Sequence, residues 1–147
     1  MADYDDAVKL ALRKLRARDR FETEIRADLA GYPEDIVERV VRFLIERKLL
    51  DDTRTTQNLI ERNTGRRSIG VERLTAELKR RGAPEEALQA CVQAASVSEA
   101  DRIRELLDGR FKATDARSKA ARFLIARGFP EDSVESALDR FFQPLPE

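Results

Sequence analysis

The chain has 147 residues, of which 41% are hydrophobic and 38% are charged, a length that suits one ordinary domain or a row of small modules and excludes a large enzyme. Its 28 basic and 28 acidic side chains cancel, so an electrostatic partner must be recognised by a local patch and not by the net charge. The high charge and the absence of Trp favour helices with solvated faces over a β-sandwich, and we expect an all-α protein.

Three segments share the pattern Gly-x-Pro-Glu-[Asp/Glu] and begin at Gly31, Gly82 and Gly128. Glycine ends one helix in the left-handed conformation, and proline at the first helical position starts the next with its φ already set. Carboxylates in the first turn then oppose the positive end of the helix dipole. The prolines follow each other at intervals of 51 and 46 residues. Such similar intervals indicate one structural unit that is repeated three times.

Each repeat is predicted to contain three helices, and the nine helices are expected to stack into an elongated, curved array. Helical spacing of apolar residues places the first helices at roughly residues 7 to 17, 53 to 63 and 98 to 110. The third helices carry apolar stripes at Val37, Val40, Val41 and Leu44, at Leu88, Cys91, Val92 and Ala95, and at Val134, Ala137, Leu138 and Phe141. The predicted repeats cover residues 1–50, 51–97 and 98–147, the last with a short Pro-containing tail.

Capping-box spacing predicts helix starts at Asp19 with Glu22 and at Ser98 with Asp101, and a weaker signal predicts one at Ser68. Breaks between helices are predicted at residues 63–68 (NTGRRS) and 111–115 (FKATD). Two prolines in the final QPLPE are expected to stop the last helix near Phe142.

The chain lacks the usual residues of catalysis and metal binding. Histidine is absent and Cys91 is the single cysteine, so neither a common general base nor a thiolate cluster for zinc is present. Cys91 lies on an apolar stripe, and we interpret it as a buried structural thiol. Asp51 and Asp52 lie at a predicted helix start, where capping is a better explanation than acid–base chemistry. We therefore predict a protein that is not an enzyme and that has no catalytic residue, metal or cofactor.

The same features bear on the compartment. A lone cysteine cannot form an internal disulfide, and the first residues, MADYDD, are acidic where a signal peptide would be basic and then apolar. No apolar run approaches the roughly 18 residues needed to cross a bilayer. We expect a cytoplasmic protein without a membrane segment.

Positive charge is concentrated in two stretches. Residues 62–81 hold seven basic and two acidic side chains, and residues 110–127 hold six and one. If the repeats stack in register, the second helices and the loops before them form a basic stripe suited to phosphates or to an acidic protein surface. The alternative is that these are only the solvated faces of amphipathic helices. The candidate residues for binding a partner or DNA are Arg62, Arg66, Arg67, Arg73, Lys79, Arg80, Arg81, Lys112, Arg117, Lys119 and Arg122.

Several local motifs carry a family resemblance. The stretch LLDDTR at 49–54 resembles the junction L-L-D-D-x-R that opens the second repeat of the RecX family of bacterial recombinase regulators. The stretches EIRADL (24–29), GVERLTAELKRRG (70–82) and ARFLIARGF (121–129) are similar to other helices of that family, and the resemblance extends from about Ala11 to Phe142. The chain departs from the family pattern at Thr55 and Asn58, where aromatic residues are usual, and at Phe21, where Ser or Thr usually starts a helix.

The resemblance implies a modulator of the RecA recombinase. Such a protein is expected to inhibit RecA by lying in the groove of the RecA–DNA filament and suppressing ATP hydrolysis and strand exchange in DNA repair and recombination. The implied partners are the RecA filament and single- or double-stranded DNA through its phosphates, and we expect a monomer. Two alternatives stay open, a DNA-binding regulatory protein that uses the basic helical face without a recombinase and a helical-repeat adaptor for an unrelated protein.

Overall fold

The structure of the protein is a computed structural model that describes residues 2–143. Within that range it consists of helices and loops without a strand, which confirms the all-α prediction. The helices are α1 (Ala2–Ala17), α2 (Glu22–Asp28), α3 (Glu34–Glu46), α4 (Asp52–Arg62), α5 (Val71–Arg80), α6 (Glu85–Arg110), α7 (Arg117–Ala126) and α8 (Glu131–Phe141), with a 3-10 turn at Gly65–Arg67. The two prolines of the predicted tail lie outside the described residues. No helix in the described range is long and apolar enough to cross a membrane.

Helix α6 runs unbroken for 26 residues, so the predicted helix start at Ser98 with Asp101 is wrong. The Ser98 hydroxyl donates to the carbonyl of Ala94 one turn earlier (3.0 Å) and accepts from Nε of Arg102 (2.8 Å). It is therefore engaged inside the helix, and neither Gly nor Pro interrupts residues 85–108. Two of the nine predicted helices are one, and the described chain has eight α-helices.

The predicted start at Asp19 is also wrong, because α2 begins at Glu22 with Phe21 as its N-cap. Phenylalanine has no side-chain acceptor, so only half of a capping box is made. The Glu24 carboxylate accepts from the backbone N–H of Phe21 at 2.9 Å. Asp19 instead accepts from Nδ2 of Asn58 at 2.8 Å. The helix start thus falls at the position that the family resemblance indicates.

The three Gly-x-Pro junctions differ in detail. Gly82 and Gly128 adopt left-handed φ angles of 72° and 89°, as predicted, whereas Gly31 does not. Pro33 and Pro130 have ψ angles of 147° and 143°, which makes them N-cap residues one position before the predicted first helical position. The left-handed conformation that favours glycine is therefore present at two of the three junctions.

The chain divides into two compact units, the first formed by Met1–Asn58 and Leu78–Leu88 and the second by Leu59–Glu77 and Gln89–Glu147. In the first unit, α1, α2 and α3 bury a core that includes the whole predicted stripe Val37, Val40, Val41 and Leu44. In the second unit, the C-terminal half of α6 packs with α7 and α8 around Ile103, Leu107, Leu124, Phe129, Val134 and Leu138. The division into three repeats at residues 1–50, 51–97 and 98–147 stays a prediction.

Candidate functional site

The segment between α4 and α5, residues 63–70, carries the adjacent arginines Arg66 and Arg67 and is here called the 63–70 loop. Its centre is the 3-10 turn, and Gly65 takes a φ of 59° that glycine adopts readily. Nη1 of Arg127 donates to the carbonyl of Arg66 at 2.7 Å and to that of Ser68 at 3.2 Å. The loop is thus tied to the end of α7, and both of its arginine side chains remain exposed.

The end of the 63–70 loop packs backbone to backbone against the Gly-x-Pro junction after α7. The N–H of Gly70 donates to the carbonyl of Arg127 (2.7 Å), and the N–H of Glu72 donates to that of Gly128 (3.2 Å). A Cβ on Gly70 would lie 2.2 Å from the carbonyl carbon of Gly128, so only glycine permits this approach. These carbonyls satisfy N–H groups at the start of α5.

The predicted helix start at Ser68 is therefore not made by its side chain. Helix α5 begins at Val71, and the Oγ of Ser68 is fully buried without a hydrogen-bond partner among the described residues.

Arg102 of α6 is buried beneath the 63–70 loop, with 3% of its surface exposed. Its Nη1 donates to the carbonyl of Ile69 (2.8 Å) and approaches Oδ1 of Asn63 (3.4 Å), and its Nη2 donates to the carbonyl of Ala95 (2.8 Å). The guanidinium carbon also lies 5.5 Å from the ring centre of Phe129.

Within the described chain no carboxylate lies within 4.0 Å of this guanidinium. Burial lowers the pKa of Arg102, and the charges of Glu99 and Glu105 oppose that change. Arg102 is a buried cation that is satisfied by neutral acceptors.

Phe123 of α7 brings two further arginines together. The guanidinium carbons of Arg110 and Arg127 lie 4.4 and 4.9 Å from the centre of its ring, within the range of a cation–π interaction. Phe111 packs edge-on against the same ring, with 5.6 Å between the ring centres. The aromatic side chains of the second basic stretch thus support arginines.

The structure joins the two basic stretches where the 63–70 loop contacts the end of α7. Here the Cβ of Arg73 packs so closely on Gly128 that an added Cβ would meet it at 2.3 Å. We call the following residues of the second unit the arginine cluster: Arg66, Arg67, Arg73, Arg110 and Arg127. Among residues 2–143 no carboxylate lies within 4.0 Å of the guanidinium groups of this cluster.

The other predicted binding residues fall into four groups, of which Arg81 is the last. Lys112, Lys119 and Arg122 are exposed in the second unit, as is Arg62 at the end of α4. Lys79 and Arg80 are exposed in the first unit. Arg117 is half-buried and pairs with Glu135 (2.8 Å) and Asp139 (2.7 Å) on α8.

Arg81 points inward within the first unit, where its side chain is 10% exposed. It forms a two-point contact with Glu24 (2.9 and 3.1 Å), donates to the carbonyl of Asp19 (3.0 Å) and lies 5.1 Å from the ring centre of Phe21. Burial acts to raise the pKa of Glu24, but hydrogen bonds from Arg81, from the N–H of Phe21 and from Arg18 outweigh it and lower the pKa. Arg81 therefore holds the segment after α5 to α2.

The structure also shows the surroundings of Cys91, Asp51 and Asp52, the three residues for which the sequence argued against a catalytic role. Cys91 is buried, as predicted, and burial raises the pKa of its thiol. Asp51 accepts from the N–H groups of Thr53 (3.0 Å) and Arg54 (3.2 Å). Asp52 accepts from the N–H of Glu22 at 2.8 Å, so both carboxylates cap helix starts, as predicted.

Three arginines of the site were not selected from the sequence. Arg110 and Arg127 lie in the second basic stretch but only their contacts with Phe123 set them apart. Arg102 carried a local signal, because it is seven residues after Ala95 and four before Leu106, on the buried stripe of α6.

A groove with a partly apolar lining lies away from the arginine cluster. It is an open groove of about 650 Å³ between α6 and α8, lined by apolar residues such as Ile103 and Phe141 and by Arg104 and Arg140. None of the predicted binding residues lines it.

Comparisons with known proteins agree on one family. The chain is 30% identical over 156 residues to the regulatory protein RecX of Chlorobium limicola, with 100% of this chain and 98% of that protein covered. It is 34% identical over 134 residues to the regulatory protein RecX of Leptothrix cholodnii, with 87% and 84% covered. The crystal structure of RecX from Lactobacillus salivarius has the same fold, with a TM-score of 0.69, 15% identity and 95% and 97% of the two chains covered. No protein-family model matches the chain.

Proposed function

The chain belongs to the RecX family of regulatory proteins, and from that premise we propose that it modulates the RecA recombinase as an inhibitor. In this proposal the protein binds in the groove of the RecA–DNA filament and suppresses ATP hydrolysis and strand exchange. Its partners are the filament and the phosphates of the DNA that the filament holds.

The arginine cluster is the observation that supports this proposal. Its arginines lie in one region of the second unit with no carboxylate of the described chain within 4.0 Å. Like charges repel, so a phosphate that approaches them relieves repulsion as well as gaining attraction. The planar guanidinium also matches phosphate oxygens with paired donors, which suits arginine better than lysine.

Regulation by such a surface requires binding energy and no covalent chemistry. A protein that binds one state of a filament more tightly than another shifts the filament toward that state by its difference in affinity. An inhibitor would bind better to a filament state that does not hydrolyse ATP. The cluster would supply attraction to phosphates. Contacts with the recombinase would supply the difference in affinity between the two filament states.

The predicted binding residues then separate into direct and supporting ones. We assign contact with phosphates to exposed residues, chiefly Arg66, Arg67 and Arg73. We assign Arg81 and Arg117 to internal support, because their guanidinium groups already bind Glu24 and the pair Glu135 and Asp139.

The test is the DNA-dependent ATPase activity of purified RecA titrated with this protein. We expect inhibition at up to stoichiometric ratios, and we expect Arg66→Gln with Arg67→Gln to raise the half-inhibitory concentration by about tenfold. Arg104→Gln is the matched control, because Arg104 is an exposed arginine of the same unit, with 82% of its side chain accessible, outside the cluster. No inhibition together with no filament binding would contradict the proposal.

The alternative of direct DNA binding is tested with the same proteins. Retention of the protein is compared on RecA filaments assembled on single-stranded DNA, on free RecA and on free DNA. Strong retention on DNA alone, with nothing added by RecA, would favour the DNA-binding alternative. Retention on filaments only, or stronger retention on filaments than on free DNA, supports the proposed function.

A further inference from the structure

We infer that Arg127 and Arg102 are positioning residues that fix the backbone of the 63–70 loop and so present Arg66 and Arg67 outward. This inference rests on the proposed function, because it explains how the phosphate-binding side chains are held. Neither positioning residue belongs to the set that the sequence selected.

Arg127 holds the loop through its backbone carbonyls. A single nitrogen, Nη1, donates to the carbonyls of Arg66 and Ser68, while the guanidinium carbon lies over the ring of Phe123, 4.9 Å from its centre. The carbonyl of Arg127 meanwhile accepts from the N–H of Gly70. One residue thus fixes the loop on both sides of Ser68, next to the two exposed arginines.

Arg102 holds the loop from below. It binds the carbonyl of Ile69, and it approaches Oδ1 of Asn63, which also accepts from the N–H of Ile69 at 2.8 Å. Burying a cation without a carboxylate is costly, and an apolar side chain would fill the same space at less cost. The acceptors that Arg102 satisfies on the loop give a physical reason for a cation at this place.

Fixing the backbone matters because Arg66 and Arg67 are long side chains on a connecting segment. Ordering a free loop upon binding would consume binding energy, because each residue loses backbone freedom. A loop that is already held avoids most of that loss, so the affinity for phosphates rises without a new contact.

Lysine cannot replace Arg127 in this role. Its ammonium keeps the positive charge but lacks the planar group that can stack on Phe123 while donating sideways to two carbonyls. Arg127→Lys therefore keeps the positive charge of the residue and removes the geometry of its guanidinium group.

The experiment is a double-mutant cycle on the full chain. The dissociation constant for RecA filaments on single-stranded DNA is measured for the unchanged protein, for R127K, for R66Q with R67Q and for the triple variant. We expect R127K to weaken binding by about threefold to tenfold in the unchanged protein and by less than about twofold when Arg66 and Arg67 are already replaced. R104K is the charge-conserving control and should bind like the unchanged protein.

Hydrogen exchange gives a second measurement that does not depend on binding. We expect the amides of Arg67, Ser68 and Gly70 to exchange faster in R127K, and also in R102Q, while amides in α8, which belongs to the same unit, keep their rates. A general loss of stability would instead accelerate exchange in both regions.

Two results would overturn the positioning role alone. One is unchanged binding by R127K while R66Q with R67Q binds more weakly, and the other is an equal weakening by R127K in both backgrounds. If R66Q with R67Q has no effect on filament binding, the phosphate-binding assignment in the proposed function fails, and the positioning role fails with it.

Discussion

Burial and partners divide the arginines of this protein into different roles, although their side chains are chemically identical. Arg66 and Arg67 are exposed, Arg81 is largely but not fully buried in an ion pair, and Arg102 is buried among neutral acceptors. An exposed arginine is available to a partner, whereas a buried one must be satisfied within the fold or it destabilises the protein. Density of positive charge along the chain therefore does not by itself identify a binding residue.

The role of Arg81 leads to a prediction about stability. Arg81→Met removes the two-point contact with Glu24 and the bond to the carbonyl of Asp19, and we expect it to lower the free energy of unfolding by about 1–3 kcal/mol at pH 7. Urea denaturation measures this loss. A variant as stable as the unchanged protein would contradict a structural role for Arg81.

The difference in the free energy of unfolding between the unchanged protein and Arg81→Met depends on pH. The pKa of Glu24 in the folded protein lies below its ordinary value of 4.5, so its stabilising contribution is complete above that value. It is lost as the pH falls through the lower pKa of the folded state. The difference in stability between the unchanged protein and Arg81→Met should therefore be smaller at pH 3 than at pH 7, and a difference that grows at pH 3 would have the wrong sign.

At the scale of elements, the ends of the helices depend on contacts that capping signals do not describe. Ser98 has a capping-box partner in sequence, yet the helix continues through it because its hydroxyl is satisfied by Ala94 and Arg102. Helix α5 begins where carbonyls of Arg127 and Gly128 accept from its N-terminal region. Helix boundaries in this protein are therefore set partly by other elements.

The junction between α5 and α7 leads to a prediction with a matched control. Gly70→Ala would place a Cβ 2.2 Å from the backbone of Gly128, and we expect it to lower the free energy of unfolding by about 1–3 kcal/mol because the backbones must separate. Gly31→Ala meets no atom within 4 Å and needs no left-handed φ, so we expect it to change the stability by less than about 1 kcal/mol. Equal effects of the two substitutions in urea denaturation would refute the close approach.

At the scale of the whole molecule, the net charge of zero conceals an uneven distribution. The 28 basic and 28 acidic residues cancel in the long-range field, so under the proposed function any steering toward DNA would come from the local field of the arginine cluster. Screening weakens such a field beyond about 8 Å at physiological salt. Binding to phosphates should therefore be short-ranged and sensitive to salt.

Salt dependence tests the cluster directly. For any affinity toward duplex DNA, the slope of log K against log salt concentration should become shallower by about 1.8 when Arg66 and Arg67 are replaced by Gln, since each neutralised phosphate contributes about 0.9. Arg104→Gln should leave the slope unchanged. The same slope for all three proteins would show that Arg66 and Arg67 do not contact phosphates.

The sequence by itself determined the helical class, the apolar stripe of α3 and the breaks at residues 63–68 and 111–115. These features depend on neighbours within one or two helical turns, and so periodicity and turn residues predict them. Local motifs also sufficed for the family, which the comparisons confirm.

Only the tertiary structure decided which arginines face inward and which support others. Arg81 meets Glu24 across 57 positions of sequence, and Arg127 meets the carbonyl of Arg66 across 61. The free energy of a charged side chain depends on burial and on the acceptors brought to it from distant segments. For that reason the sequence indicated a basic surface, while the folded chain separated exposed arginines from those that hold the fold.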